Sequence, residues 1–340
     1  MKKYILIIII ISLTLFIISG CEGPDQSNQK SITVAEQYGL AYAPVQLVKE
    51  LGLLNNEDSD IKVEWKQLSN TTSIRESMLA GEVDIAFMAI PPFLIAKDKG
   101  MKWKIISGLS ESPLGLMTNR EYIKTLADFK DEDKIALPQP GSIQHILLSM
   151  AAQRNFKETD KFDDQLLTMN HPDAMNALLA GREVSAHFAS PPYLFLESKE
   201  AGIKKILSGG EAFGGDFTFI IGVSTEEFYQ QQSENYTLFL KALREAIEFI
   251  EQNPAEVSEL LADNYDLSQT EMEEYLTWPG MEFTTEIKGL EEFLAFMTAE
   301  GYLEKKDYQR SELIFAEKND LEDRENNEAE QKRGAAKNGE

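Results

Sequence analysis

The chain repeats itself at a constant spacing of 100 residues. Leu79-Ala80-Gly81-Glu82-Val83-Asp84-Ile85-Ala86-Phe87-Met88-Ala89-Ile90-Pro91-Pro92-Phe93-Leu94 lies without a gap over Leu179-Ala180-Gly181-Arg182-Glu183-Val184-Ser185-Ala186-His187-Phe188-Ala189-Ser190-Pro191-Pro192-Tyr193-Leu194. The match reaches back to Asn70 over Asn170 and forward to Lys104 and Ile106 over Lys204 and Ile206. Each copy reads as a polar loop, a helix ending at Ala-Gly, a short apolar strand, and a Pro-Pro pair that opens the next helix. Glycine suits a helix end because it tolerates positive φ, and proline suits the first turn because its missing N–H has no partner to lose.

A second matched feature lies upstream of each copy. Ile32–Glu36 reads as a strand leading into Gln37–Pro44 and an amphipathic helix from Val45 to Leu54; Lys134–Leu137 leads into Pro138–Ser142 and a helix from Ile143 to Arg154. Strands alternating with helices predict sheets covered on both faces, hence an α/β protein with one tandem unit per lobe. A Gly-rich stretch, Ser208–Asp216, precedes the strand-like run Phe217–Val223, after which the chain is nearly all helical. Leu238, Phe239, Ala242, Leu243, Ala246, Ile247 and Ile250 recur at helical spacing within Tyr236–Gln252, Pro254 opens a helix to about Asn264, and Leu290, Phe293, Phe296 and Met297 mark another. These helices need a core, and a chain that crosses back at Phe217–Val223 offers them the first lobe. The expected lobes are 31–112 with 217–316, and 113–216; residues 317–340 read as a charged disordered tail.

Composition narrows the partners. Against 33 Lys and Arg stand 57 Asp and Glu, a net charge of -24, which repels phosphate backbones and argues against nucleic acid. The single cysteine cannot make an internal disulfide or a structural zinc site. Lys2-Lys3 followed by an aliphatic run from Tyr4 to Ile18 reads as a signal peptide over residues 1–20. Its apolar run of about 15 residues is short of the roughly 20 that span a bilayer. Ile18-Ser19-Gly20-Cys21 resembles the bacterial lipobox, which implies lipid attachment at Cys21, a tether over 21–30, and a protein held outside the cytoplasm on the cell membrane.

In open parallel sheets, ligands bind beyond the carboxyl ends of the strands, where helix N-termini offer N–H groups and the positive end of the dipole. The loops at those ends supply the candidate ligand-binding residues Tyr38, Tyr42, Ser69, Thr71, Thr72, Ile90, Gly141, Ser142, Gln144, His145, His187 and Ser190. They are neutral hydrogen-bonding and aromatic groups, fit for a small anion or polar molecule. His145 and His187 read as donors to an acidic ligand, although His187 reads equally well as a satisfied core histidine. His171, before Pro172, reads as a helix-start residue. No carboxylate or thiolate stands at ligand spacing beside these histidines, so support for a metal is weak and no cofactor is expected. Nucleophile-elbow, His-Glu-x-x-His and phosphate-loop motifs are absent, so the chain does not read as an enzyme.

The lipobox, Ile32-Thr33-Val34-Ala35-Glu36-Gln37-Tyr38-Gly39-Leu40-Ala41-Tyr42-Ala43-Pro44, Leu79–Phe87 and Pro140-Gly141-Ser142 together resemble the nitrate/sulfonate/taurine group of ABC-transporter solute-binding proteins. The resemblance covers about residues 31–316. It implies a type II-like periplasmic-binding-protein fold, with two mostly parallel sheets flanked by helices and a two-stranded hinge. It also implies a monomer that captures a sulfonate, taurine or nitrate between its lobes and passes it to an ABC permease and ATPase. The aromatic first loop, the Ser69–Ser73 loop and Gly141-Ser142 correspond by position to stretches that line the anion site in that group. The only arginines near the cleft loops are Arg75 and Arg182, on flanking helices, so no strongly charged clamp is evident. The same superfamily includes binders of pyrimidine precursors, for which Tyr38, Tyr42 and Trp65 offer aromatic faces. It also includes pyrimidine synthases, which would need a reactive histidine and a cysteine-rich metal motif.

Overall fold

The computed structural model describes residues 31–55 and 61–315. The expected signal peptide, lipid attachment at Cys21, tether and charged tail all fall outside the described residues. Among the described residues, no helix is long and apolar enough to cross a membrane.

In the first half, β1 (Ser31–Glu36) leads to α1 (Ala43–Glu50), β2 (Lys62–Gln67) to α2 (Thr71–Leu79), and β3 (Ile85–Ala89) to α3 (Ile90–Asp98), before β4 (Trp103–Glu111). The second half runs β5 (Gly115–Thr118), β6 (Ile135–Leu137), α4 (Ile143–Phe156), β7 (Leu166–Thr168), α5 (His171–Ala180), β8 (Ala186–Ala189), α6 (Tyr193–Lys199), β9 (Lys204–Ser208) and α7 (Gly209–Phe213). The chain then adds β10 (Ile220–Thr225), α8 (Glu226–Gln231), α9 (Ser233–Gln252), α10 (Pro254–Leu261), α11 (Gln269–Leu276), β11 (Glu282–Phe283) and α12 (Leu290–Ala299).

The repeat is visible in the sheets. One has the order β11-β4-β10-β3-β1-β2 and the other β7-β6-β8-β5-β9, so β2-β1-β3 corresponds to β7-β6-β8. Both triplets are parallel. The expected mostly parallel character stops there, because β10 runs antiparallel to β3 and β4, and β5 runs antiparallel to β8 and β9. The cause is the route between sheets. Strand β4 ends level with β3, so the chain leaves the first sheet at its carboxyl end and enters the second at the same kind of end, with Gly115 opposite Ala189. It returns in the same way, with Ile220 opposite Ala89. Each incoming strand therefore runs away from the gap between the sheets, and both crossings lie beside that gap. They are tied to each other by Gly209 N–H to the Leu114 carbonyl (2.7 Å) and Phe219 N–H to the Ser110 carbonyl (2.8 Å).

The C-terminal helices close the first sheet's core. On α9 the buried stripe is Tyr236, Phe239, Ala242, Leu243, Ala246, Ile247 and Ile250, whereas Leu238, predicted to belong to it, is 39% exposed. Helix α9 packs on α1, and α12 packs on α3. The segment after β11 passes so close to β4 that a Cβ on Gly108 would overlap the Glu286 carbonyl oxygen. Only glycine admits that approach.

Candidate functional site

A cavity of about 350 Å³ lies where the carboxyl ends of the two sheets face each other. The first lobe contributes Gln37, Tyr38 and Tyr42 after β1 and Ser69, Asn70 and Thr71 after β2. Across from them stand Gln139, Ser142 and Gln144 after β6, Asn170, His171 and Asp173 after β7, and Ser190 and Pro191 after β8. Ala89 at the end of β3 and Pro92 at the start of α3, with Phe219 and Ile220 at the return crossing, add an apolar wall.

Three helices, α2, α4 and α5, begin at this cavity, and each is capped by a side chain that also lines it. Asn70 Oδ1 accepts from Ser73 N–H (3.0 Å), Ser142 Oγ from His145 N–H (3.3 Å), and Asn170 Oδ1 from Asp173 N–H (2.9 Å). The cap satisfies one of the N–H groups that have no intrahelical partner and leaves the first ones free to point outward. Each start also carries about half a positive charge from the aligned peptides. Positive potential is thus built into the backbone, and no lysine or arginine is among the described residues that line the cavity.

The acidic groups behind the walls do not oppose it. Burial pushes the Glu36 carboxyl up to about 8, partly offset by the amide of Gln46 at 3.4 Å and by Lys49. Glu197 is wholly buried and pushed upward for the same reason. Burial thus shifts both toward the protonated form, and Asp173 is the exposed carboxylate among the residues that line the cavity.

The lobes meet around the cavity. The Leu40 N–H donates to the Pro191 carbonyl (3.2 Å), and Thr72 Oγ1 donates to Gln139 Oε1 (3.2 Å). Gly39 sits at φ 133, and a side chain there would press on the Pro191 carbonyl oxygen at 3.3 Å. Lys199 of α6 pairs with Glu274 of α11 at 2.9 Å.

The model of the family described as "NMT1/THI5 like" matches residues 43–257. The chain belongs to the NMT1/THI5-like family. Among solved structures, the alkanesulfonate-binding protein SsuA of Xanthomonas axonopodis pv. citri, bound to MOPS, superimposes with a TM-score of 0.71 at 19% identity, covering 83% of this chain and 97% of that one. The periplasmic aliphatic sulphonate-binding protein SsuA of Escherichia coli gives 0.67 at 20%, covering 84% and 92%. The periplasmic nitrate-binding protein NrtA of Synechocystis gives 0.63 at 15%, covering 82% and 83%. At these identities the likeness carries the fold, and the expected periplasmic-binding-protein fold is the fold of this chain.

Of the residues proposed from sequence, Tyr38, Tyr42, Ser69, Thr71, Ser142, Gln144 and Ser190 come together on the cavity wall. Thr72 and Gly141 instead line an adjoining groove. Ile90 is wholly buried, because the first turn of α3 packs its side chain into the core. His145 is turned away: its Nδ1 accepts from Gly141 N–H (3.0 Å), and its Nε2 lies 3.1 Å from Asp163 Oδ1. His187 is 0% exposed, with Nδ1 2.5 Å from Glu197 Oε1. Neither histidine reaches the cavity as a donor to a ligand, and His187 is instead the satisfied core histidine that the sequence offered equally well. His171 does, as the first residue of α5, stacked on Tyr193 at 5.7 Å between ring centres. Its place after Asn170, the matched partner of Asn70, was the available signal. Trp65 packs against the core from β2 rather than lining the cavity.

Proposed function

We propose that this protein is the extracytoplasmic solute-binding component of an ABC importer, lipid-anchored through Cys21. It acts as a monomer that captures a small anion between its lobes and delivers it to a permease and its ATPase. The observation that carries the anion reading is the convergence of three capped helix starts on a cavity lined by neutral hydrogen-bonding groups, with the carboxyls buried behind it pushed upward by burial. The binding roles of the structural neighbours support the transport reading.

Among anions, size discriminates. Cavities of about 300–1,000 Å³ suit organic ligands, and a nitrate would leave most of 350 Å³ to water. The apolar faces of Tyr38, Tyr42, Pro92 and Phe219 offer a wall to a short carbon chain. An alkanesulfonate or taurine therefore fits better than nitrate. Capture follows as lobe closure: an open form admits the ligand, and contacts from both lobes stabilise the closed form. The His171–Tyr193 stack and the tyrosines favour one second reading, a flat pyrimidine ligand.

Thermal unfolding of residues 22–340 against a panel of ethanesulfonate, taurine, nitrate and an aminopyrimidine separates these readings. A ligand at 100 times its Kd stabilises by about 2.7 kcal/mol, which at about 2–4 °C per kcal/mol raises Tm by about 5–10 °C. The expected result is such a rise with a sulfonate and a smaller one with nitrate. A rise with the aminopyrimidine alone would replace the anion reading by the second one.

A further inference from the structure

Behind the cavity, three side chains form one hydrogen-bonded line. Glu197 Oε1 lies 2.5 Å from His187 Nδ1, and His187 Nε2 lies 2.8 Å from His171 Nδ1. At the cavity wall, His171 Nε2 lies 3.3 Å from the side-chain amide of Gln144. Glu197 and His187 are wholly buried, and Glu197 Oε2 has no hydrogen-bond partner among the described residues.

A neutral imidazole carries its proton on one nitrogen and accepts at the other, so the line has two proton arrangements. With Glu197 ionised, the carboxylate accepts from His187 Nδ1–H, His187 Nε2 accepts from His171 Nδ1–H, and His171 Nε2 keeps a bare lone pair. With one more proton, Glu197 Oε1–H donates to His187 Nδ1, His187 Nε2–H donates to His171 Nδ1, and His171 Nε2 carries a hydrogen. The amide of Gln144 serves either state by turning its N–H or its carbonyl toward the ring.

We infer that Glu197 and His187 are positioning residues that set whether His171 donates or accepts at the cavity, and that an anionic ligand draws one proton into this line. The ligand half of the inference rests on the anion reading above. The proton balance is simple. One proton arrives at His171 Nε2, the proton on His171 Nδ1 passes to His187 Nε2, and the proton on His187 Nδ1 passes to Glu197 Oε1. One carboxylate is neutralised, and both rings end neutral.

The surroundings favour this exchange. An ionised carboxylate with an orphaned oxygen is costly in a dry interior, and burial pushes the Glu197 carboxyl upward. Burial holds both rings well below the usual histidine range, with His187 adding to the effect on His171, so neither takes a second proton. Asp173 lines the cavity beside His171, and Tyr193 stacks on the His171 ring. On the elements packed around it, His145 is bonded to Asp163, Arg154 to the carbonyls of Glu211, Ala212 and Phe213, and Lys199 to Glu274. Lys134 is bonded to the Asp164 carbonyl and Lys204 to the Glu121 carbonyl, with Lys205 beside it on β9. Burial is what pushes the Glu197 carboxyl up and the His187 ring down, and the hydrogen bond between them couples the two. An acceptor ligand therefore binds at full strength below the Glu197 range and loses affinity about tenfold per pH unit as pH rises through it.

The chain contains three histidines, so ¹⁵N spectra of the ring nitrogens of the full chain can follow each one from about pH 5 to about pH 10, a span wide enough for a raised carboxyl. The expected result is that His171 and His187 exchange Nε2–H for Nδ1–H together, in one step, as pH rises, and that Glu197→Gln removes the step. Separate steps, no tautomer change in either ring, or a step that survives in Glu197→Gln overturns the inference. Calorimetry with ethanesulfonate, in two buffers of different ionisation heat near the midpoint, should then show proton uptake in the wild type and none in Glu197→Gln. Binding without uptake in the wild type also overturns it. If ethanesulfonate does not bind at all, the anion reading fails, and the ring titration still decides whether the line exchanges its proton as one unit.

Discussion

Asn70→Asp is expected to leave the protein folded and to remove most of its affinity for a small sulfonate. Asn70 caps α2 through Oδ1 and lines the cavity. Aspartate caps a helix as well as asparagine does, and its charge suits the helix dipole, so α2 should keep or gain stability. The same charge faces the ligand. At an effective dielectric constant of about 20, two like charges about 4 Å apart repel by about 4 kcal/mol. If partial solvent exposure removes a third of that, a loss of about a hundredfold in affinity remains. The unfolding midpoint without ligand reports the fold, and a titration with ethanesulfonate reports the site. An affinity that is unchanged or improved would mean that the ligand is not an anion seated at this helix start.

Phe87→Ala is expected to produce the largest loss of stability. Phe87 is wholly buried at the centre of β3, opposite Gly222 of β10. The missing side chain of Gly222 leaves room for its ring, since a Cβ there would sit 2.9 Å from Phe87 Cε1. The ring also lies 6.1 Å from that of Phe239 on α9. Truncation leaves a void between sheet and helix, at a cost of about 3–5 kcal/mol, a large part of the total of about 5–15 kcal/mol for a typical domain. Urea unfolding should show a markedly lower midpoint, and amide exchange should quicken along α9 first. A loss below about 1 kcal/mol would show that α9 does not depend on this contact.

The repeat made much of this legible. Asn70 over Asn170 placed a polar loop before a helix in both copies, and the structure makes these two residues, with Ser142, the caps of the three helix starts. Those positions follow from local rules, in which a side-chain oxygen three residues before a free N–H ends up at a helix terminus. The histidines were not legible in the same way. β8 is buried on both faces, so no polar alternation told which way His187 points. Its partner Glu197 lies in a run, Glu197-Ser198-Lys199-Glu200, that reads as a solvated helix end, yet its carboxyl is sealed under the sheet. The antiparallel strands escaped for a topological reason. β5 and β10 carry ordinary apolar patterns, and their direction is set by where the chain crosses between sheets, which no local pattern records.

The central claim is that a small organic anion binds where α2, α4 and α5 begin. It is tested most directly by calorimetric titration of ethanesulfonate into wild-type protein and Asn70→Asp side by side. One saturable site per chain is expected in the wild type, with binding weaker by about a hundredfold in the variant. Equal binding by the two proteins, or no binding by either while an aminopyrimidine titrates one to one, would contradict it.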